Sequence, residues 1–204
     1  MVSCACACVY RIASNRYPRD MTAKTFQLNG RTVDLSDCQA TESLLRWLKR
    51  HALTGTKEGC GDGDCGACTV VLLSRDADGI AHYESVNACL LPMGAMPGRE
   101  VLTVESLASG NDLHPVQAAM VEGGGSQCGY CTPGFVMSLF AGWYTDAPLS
   151  DHDIEGNLCR CTGYRSIRAA TNRLNALPRS EDRFRARLRE GMPSLPAAEL
   201  PGYF

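Results

Sequence analysis

The chain has 204 residues, of which 45% are hydrophobic and 21% charged, with a net charge of −2. That length is enough for one sizeable core or two small ones, and the near-neutral balance gives no reason to expect a nucleic-acid partner. No run approaches the roughly 18 apolar residues that a membrane span requires, so a soluble chain with no membrane partner is expected.

The first segment, MVSCACACVYRIASNRYPRD, lacks a basic stretch leading into an apolar core and lacks a twin-arginine pair. Export is therefore not expected, and a cytoplasmic location, where thiols stay reduced, is. Residues 1–22 read as an unstructured tail. Cys4, Cys6 and Cys8 form a C-A-C-A-C run that could take a soft metal. The absence of any packing pattern around them favours an upstream start codon, with Met21 as the true beginning.

From residue 23 the pattern becomes that of a folded unit. KTFQLNGRTVDL reads as two short strands turning at Asn29-Gly30, and ATESLLRWLKRHA carries apolar residues at one helical face. The loop EGCGDGDCGAC follows, with Cys60, Cys65 and Cys68 among four glycines; CTVVLLSR and AHYESVNACL then read as strands separated by DADG and reaching Cys89. The turn-rich PMGAMPG suggests that this first domain closes near Gly98, with a boundary at residue 100.

Beyond it the period changes. HPVQAAMVEG and PGFVMSLFAGWYTD each place a proline where a first helical turn tolerates it. SDHDIEGN begins with a serine able to cap, and GYRSIRAATNRLNAL is a fourth helical stretch. Four short helices over 101–178 would carry Cys128, Cys131, Cys159 and Cys161 in the loops between them. The final segment, 179–204, is arginine-rich and then proline-rich with no continuing core pattern, and reads as an exposed linker.

The cysteines carry the chemistry. Cys60-x4-Cys65-x2-Cys68 with a distant Cys89 has the spacing of a plant-type [2Fe-2S] site, whereas zinc sites usually pair two C-x2-C knuckles or include histidine. Gly59, Gly61, Gly63 and Gly66 let backbone N–H groups fold closely around an anionic inorganic core. The second set, C-x2-C with C-x-C twenty-seven residues later, offers four more thiolates. Structural zinc, and buried or disulfide-bonded cysteines, remain alternatives on spacing alone.

LTGTKEGCGDGDCGACTVV, VNACL, LHPVQ, GSQCGYCTPGFVMSLF and GNLCRCTGYRSI, in that order, resemble the iron–sulfur portion of the molybdenum hydroxylases, the xanthine dehydrogenase and aldehyde oxidase family. The resemblance runs from about Thr25 to Leu177 and is nearest to the N-terminal part of the xanthine dehydrogenase small subunit. It implies an α+β fold: a plant-type ferredoxin-like β-grasp domain followed by a four-helix [2Fe-2S]-binding domain. It assigns Cys60, Cys65, Cys68 and Cys89 to the cluster nearer the flavin, and Cys128, Cys131, Cys159 and Cys161 to the cluster beside the molybdopterin. Gln127 matches a glutamine that hydrogen-bonds the pterin of the partner chain.

The resemblance further implies partners: a molybdopterin-binding large subunit, and an FAD-binding subunit or domain. FAD and molybdenum would sit on those partners or on a further part of a longer chain. No catalytic residue is expected here; the expected role is electron relay through two [2Fe-2S] clusters in an oxidoreductase of purine catabolism. A stand-alone two-cluster ferredoxin, a subunit acting on aldehydes or other N-heterocycles, and a zinc-bound interaction module are the competing expectations. Trp47 and Trp143 read as core, His114 as a helix start, and Cys38 as a small thiol without a role.

Overall fold

A computed structural model describes residues 24–76 and 78–189. The expected N-terminal tail with Cys4, Cys6 and Cys8, and the last part of the expected linker, lie outside the described residues.

β1 (Thr25–Leu28) and β2 (Arg31–Asp34) pair antiparallel. Asn29 and Gly30 turn the chain with φ of 53° and 80°, the two positive angles that a tight two-residue hairpin requires. The Asn29 amide also donates to Thr103 Oγ1 at 2.9 Å and its Oδ1 accepts from Thr103 N at 2.8 Å. The turn is thereby fastened to chain 74 residues downstream.

α1 (Leu44–Arg50) starts at Ser43, whose hydroxyl accepts from Arg46 N. It buries Leu44, Leu45, Trp47 and Leu48 against Phe26, Leu28, Val70, Leu72 and Val101. Trp47 is 2% exposed and meets Phe26 edge-on at 5.6 Å, so it is core, as the sequence suggests.

β3 (Thr69–Arg75), β4 (Ala81–Asn87) and β5 (Glu100–Leu102) complete a five-stranded sheet of order β2-β1-β5-β3-β4. β5 runs parallel to β1 and antiparallel to β3, in the middle of the sheet. The boundary expected between residues 100 and 101 falls inside it. Gly98, at φ +69°, turns the chain back into the sheet instead of out of it, and all three residues of β5 are buried.

β3 is buried along six consecutive residues. Val70 and Leu72 face the α1 core, while Val71 and Leu73 face a second core with Tyr83 and Leu102. A strand covered on both sides reads as a continuous apolar run, which is what TVVLL is.

The second core is roofed by α2 (Pro115–Glu122), α3 (Thr132–Trp143) and α4 (Arg165–Asn175). His114 caps α2: its Nδ1 accepts from Val116 N at 3.2 Å and the Gln117 side chain accepts from His114 N at 3.0 Å. α3 is buried nearly all round, and Trp143, 3% exposed, is core like Trp47.

Two expectations for this half are corrected. SDHDIEGN forms only a three-residue 3-10 turn, Asp151–Asp153, because Ser150 and Asp153 cap each other within one turn and the chain then leaves through Gly156. The fourth helix comes instead from the segment read as exposed linker. α5 (Arg183–Leu188) is capped by the Asp182 carboxylate, which accepts from Phe184 N and Arg185 N.

Phe184 is 2% exposed and meets Phe140 edge-on at 4.9 Å. Of the three arginines that disguise α5 as solvent-facing chain, two have hydrogen-bond partners and Arg185 lies over the Tyr144 ring. Arg183 donates to the carbonyls of Ser106, Leu107 and Ala108, and Arg187 pairs with Glu100 of β5 at 2.6 Å. Among the described residues no helix is long and apolar enough to cross a membrane.

Candidate metal centres

The first cysteine group is set out by the sheet. Cys68 immediately precedes β3 and Cys89 follows β4, and the register that pairs Thr69 with Asn87 brings these two ends together. Their sulfurs lie 3.3 Å apart.

Cys60 and Cys65 sit in the preceding loop, where the Cys60 N–H points to Cys65 Sγ and the Cys65 N–H to Cys60 Sγ, each at 3.3 Å. Gly61 and Gly63 at φ +81° and +93° make that reciprocal fold possible. Gly59 leaves space at the sulfur itself, since a Cβ there would stand 2.6 Å from Cys65 Sγ. The Asn87 amide donates to Gly63 O at 2.6 Å and fastens the loop to the sheet.

The second group is set out by helix ends. Cys131 sits at the N-terminal boundary of α3, Cys128 lies three residues before it, and Cys159 and Cys161 lie in the turn leading to α4. Cys161 Sγ is 3.6 Å from Cys128 Sγ, and Cys131 and Cys159 interact electrostatically. Thr162 Oγ1 meets Cys159 Sγ at 3.1 Å, and Tyr164, held in the left-handed region at φ +65°, accepts at its hydroxyl from Cys159 N.

Burial and the neighbouring Cys68 thiol push Cys89 up to about 12; burial and Cys159 do the same to Cys131. At Cys159 burial works upward, but interactions with Thr162, Cys161 and Cys131 together hold the thiol below its usual value. Without metal, each group therefore retains at least one firmly protonated thiol, and loading must release its proton.

The cysteines of each group are thus joined two by two: Cys68 with Cys89 and Cys128 with Cys161 through their sulfurs, Cys60 with Cys65 through backbone N–H to sulfur, and Cys131 with Cys159 electrostatically. Among the described residues no three such ligand side chains gather around one point in the manner of a single-ion site. Thiols in close contact, amide hydrogens aimed at sulfur and a glycine cradle fit a [2Fe-2S] group, which the four cysteines of each set would hold.

Gln127 is exposed beside Cys128. Cys38 lies apart from both groups, packed against the α1 core. Sequence reasoning missed Asn87, Thr162, Tyr164 and Asn157, whose only signal was proximity to a cysteine. Their partners are set by tertiary structure.

Residues 26–94 match the family model described as a 2Fe-2S iron-sulfur cluster binding domain, and residues 103–172 match the one described as a [2Fe-2S] binding domain. The solved quinoline 2-oxidoreductase from Pseudomonas putida includes a chain that superposes with a TM-score of 0.62 at 30% identity, over 76% of this chain and 93% of that one.

The chain belongs to the molybdenum hydroxylase family. It corresponds to the iron–sulfur part of that family. An aldehyde oxidoreductase from Desulfovibrio desulfuricans matches at TM-score 0.64 and 34% identity, over 76% of this chain and 17% of that chain. Among curated molybdenum hydroxylases, xanthine dehydrogenase of Emericella nidulans is 46% identical over 147 residues, and xanthine dehydrogenase 1 of Arabidopsis thaliana is 45% identical over 157 residues. These cover 70% and 72% of this chain, which spans 11% of either relative's length.

Proposed function

We propose that this chain is the electron-transfer part of a xanthine dehydrogenase-type molybdenum hydroxylase. The observation that carries the reading is the close approach of cysteines within each group, Cys68 to Cys89 and Cys60 to Cys65 in the first and Cys128 to Cys161 in the second, within a chain whose curated relatives include xanthine dehydrogenases. Cys60, Cys65, Cys68 and Cys89 would hold one [2Fe-2S] cluster, and Cys128, Cys131, Cys159 and Cys161 the other. Such clusters supply one-electron carriers whose potential follows hydrogen bonding to sulfur and burial.

The chain's own residues support that role in distinct ways. Amide hydrogens of Cys60 and Cys65 are aimed at thiolate sulfur, which stabilises added negative charge. Cys68 and Cys159 are buried whereas Cys60, Cys128 and Cys161 are exposed, so each site has a sheltered side and an open side. The exposed side of the second site, with Gln127 next to Cys128, would face a molybdopterin-binding partner, and Gln127 would hydrogen-bond the pterin. The first site would face an FAD-binding subunit or domain. Substrate, a purine-like heterocycle, would be oxidised on the molybdopterin partner, in the cytoplasm.

Low-temperature EPR of the anaerobically purified, dithionite-reduced protein tests this. Two distinct spin-one-half signals are expected, each integrating to one spin per chain, together with a co-purifying molybdenum-containing partner. A colourless, EPR-silent, zinc-loaded protein would overturn the reading.

A further inference from the structure

Among the described residues, Asn157 lies at one of two places where hydrogen bonds join the loops of the two candidate centres, the other being Tyr130, whose hydroxyl donates to Glu58 O. The Asn157 side chain is 3% exposed. Nδ2 donates to Gly66 O at 2.9 Å and to Thr69 Oγ1 at 3.2 Å, and the next residue, Leu158, donates its N–H to Cys65 O at 3.0 Å. Two consecutive residues just before Cys159 thus hold two consecutive carbonyls of the first loop, one of them belonging to Cys65.

The packing around this junction is close. Gly66 has φ +66°, and a Cβ on it would overlap Gly156 O and Asn157. A Cβ on Gly134 of α3 would overlap Gly66 O and approach Asn157 Nδ2. Backbone from three segments meets here, with the Asn157 amide among them.

That amide is not arranged for stability alone. Both Nδ2 partners are acceptors, which fixes the orientation of the group and leaves Oδ1 buried with no hydrogen-bond partner. An unsatisfied buried carbonyl costs about as much as a hydrogen bond returns, so the net gain from Asn157 is small. What the residue supplies is position.

We propose that Asn157 is a positioning residue that fixes the separation and relative orientation of the two clusters, by clamping the Cys65–Gly66 backbone to the segment that carries Cys159. The inference rests on the two-cluster reading above. Its consequence concerns the exchange of electrons between clusters, which falls steeply with separation, and not the capacity of either site to bind iron.

The test uses the full chain with both clusters loaded and reduced. The mutual magnetic splitting of the two EPR signals varies as the inverse cube of their separation, and the rate of electron exchange between clusters is followed after pulsed reduction. Asn157→Ala is expected to weaken the splitting and slow exchange several-fold, with iron content unchanged. Asn157→Asp keeps the shape but removes the donor, and is expected to do the same; it carries the comparison if the alanine variant does not retain both clusters.

Leu174→Ala, in the α4 core away from the junction, supplies a chain of lowered stability whose splitting and exchange should match those of the unmutated protein. Asn157 variants with two loaded clusters and unaltered splitting and exchange overturn the clamp alone. An unmutated chain without two EPR signals overturns the two-cluster reading and the clamp with it.

Discussion

Replacing Phe184 by alanine removes the one aromatic ring that α5 inserts into the second core. The ring is 2% exposed and lies against Phe140 at 4.9 Å, His114 at 5.6 Å and Tyr144 at 6.1 Å. Truncating a buried phenylalanine costs about 3–5 kcal/mol, because the lost transfer energy is joined by an unfilled cavity. In a chain of this size each kcal/mol corresponds to roughly 2–4 °C in Tm, so Phe184→Ala should melt about 6–20 °C lower. The assay is circular dichroism with visible absorbance of the loaded protein, compared at one scan rate so that irreversible cluster loss affects both proteins alike. A variant within about 0.5 kcal/mol of the unmutated chain, the usual range for a surface substitution, would refute the argument and return residues 179–189 to the status of a linker.

His114 is buried with Nδ1 accepting from Val116 N and Nε2 donating to the Tyr144 hydroxyl, which in turn donates to Asp182. Burial lowers it from 6.5 to about 4, so the unfolded chain takes up the proton first: this stability is complete above pH 6.5 and lost as pH falls toward 4, by roughly 3 kcal/mol. His114→Asn, which can still cap α2, should flatten the dependence of Tm on pH across that window; equal slopes for both proteins would count against it. Gly66→Ala forces a side chain into a left-handed position with no space and should prevent loading of the first site, read as iron and labile sulfide falling by about half. Unaltered iron content would show that the junction yields. Cys161→Ser should impair the second cluster and block reduction of the first by substrate in the assembled enzyme, while dithionite still reduces the first; substrate-driven reduction of both clusters would contradict the assumed order of transfer.

The parts of the fold legible in the sequence are those governed by local signals. Asn29-Gly30 announces its hairpin because few other residues accept two positive φ angles, and α1 shows its apolar face within two turns. The cysteine spacings show four thiols per group, but the division of each group into pairs is produced by the β3–β4 register and by the ends of α3 and α4. The place of β5 in the first sheet is not legible because three residues carry no period and its partners are distant in sequence. α5 was missed for a related reason: a six-residue helix with one buried ring among its arginines looks solvent-facing until the carbonyls at 106–108 and Glu100 are seen opposite. Asn157 was invisible as a clamp because its acceptors belong to the other half of the chain.

β3 has consequences beyond placing Cys68. Val70 and Leu72 belong to one core and Val71 and Leu73 to the other, so a single strand is a party wall between two rooms. Severing the chain after β5 would leave the first fragment with a bare greasy face and the second with helices that have nothing to lie upon. The two halves are therefore inseparable as material objects, even though each matches a family model of its own, and a recombination event that carried off one without the other would yield a sticky remnant instead of a smaller electron carrier.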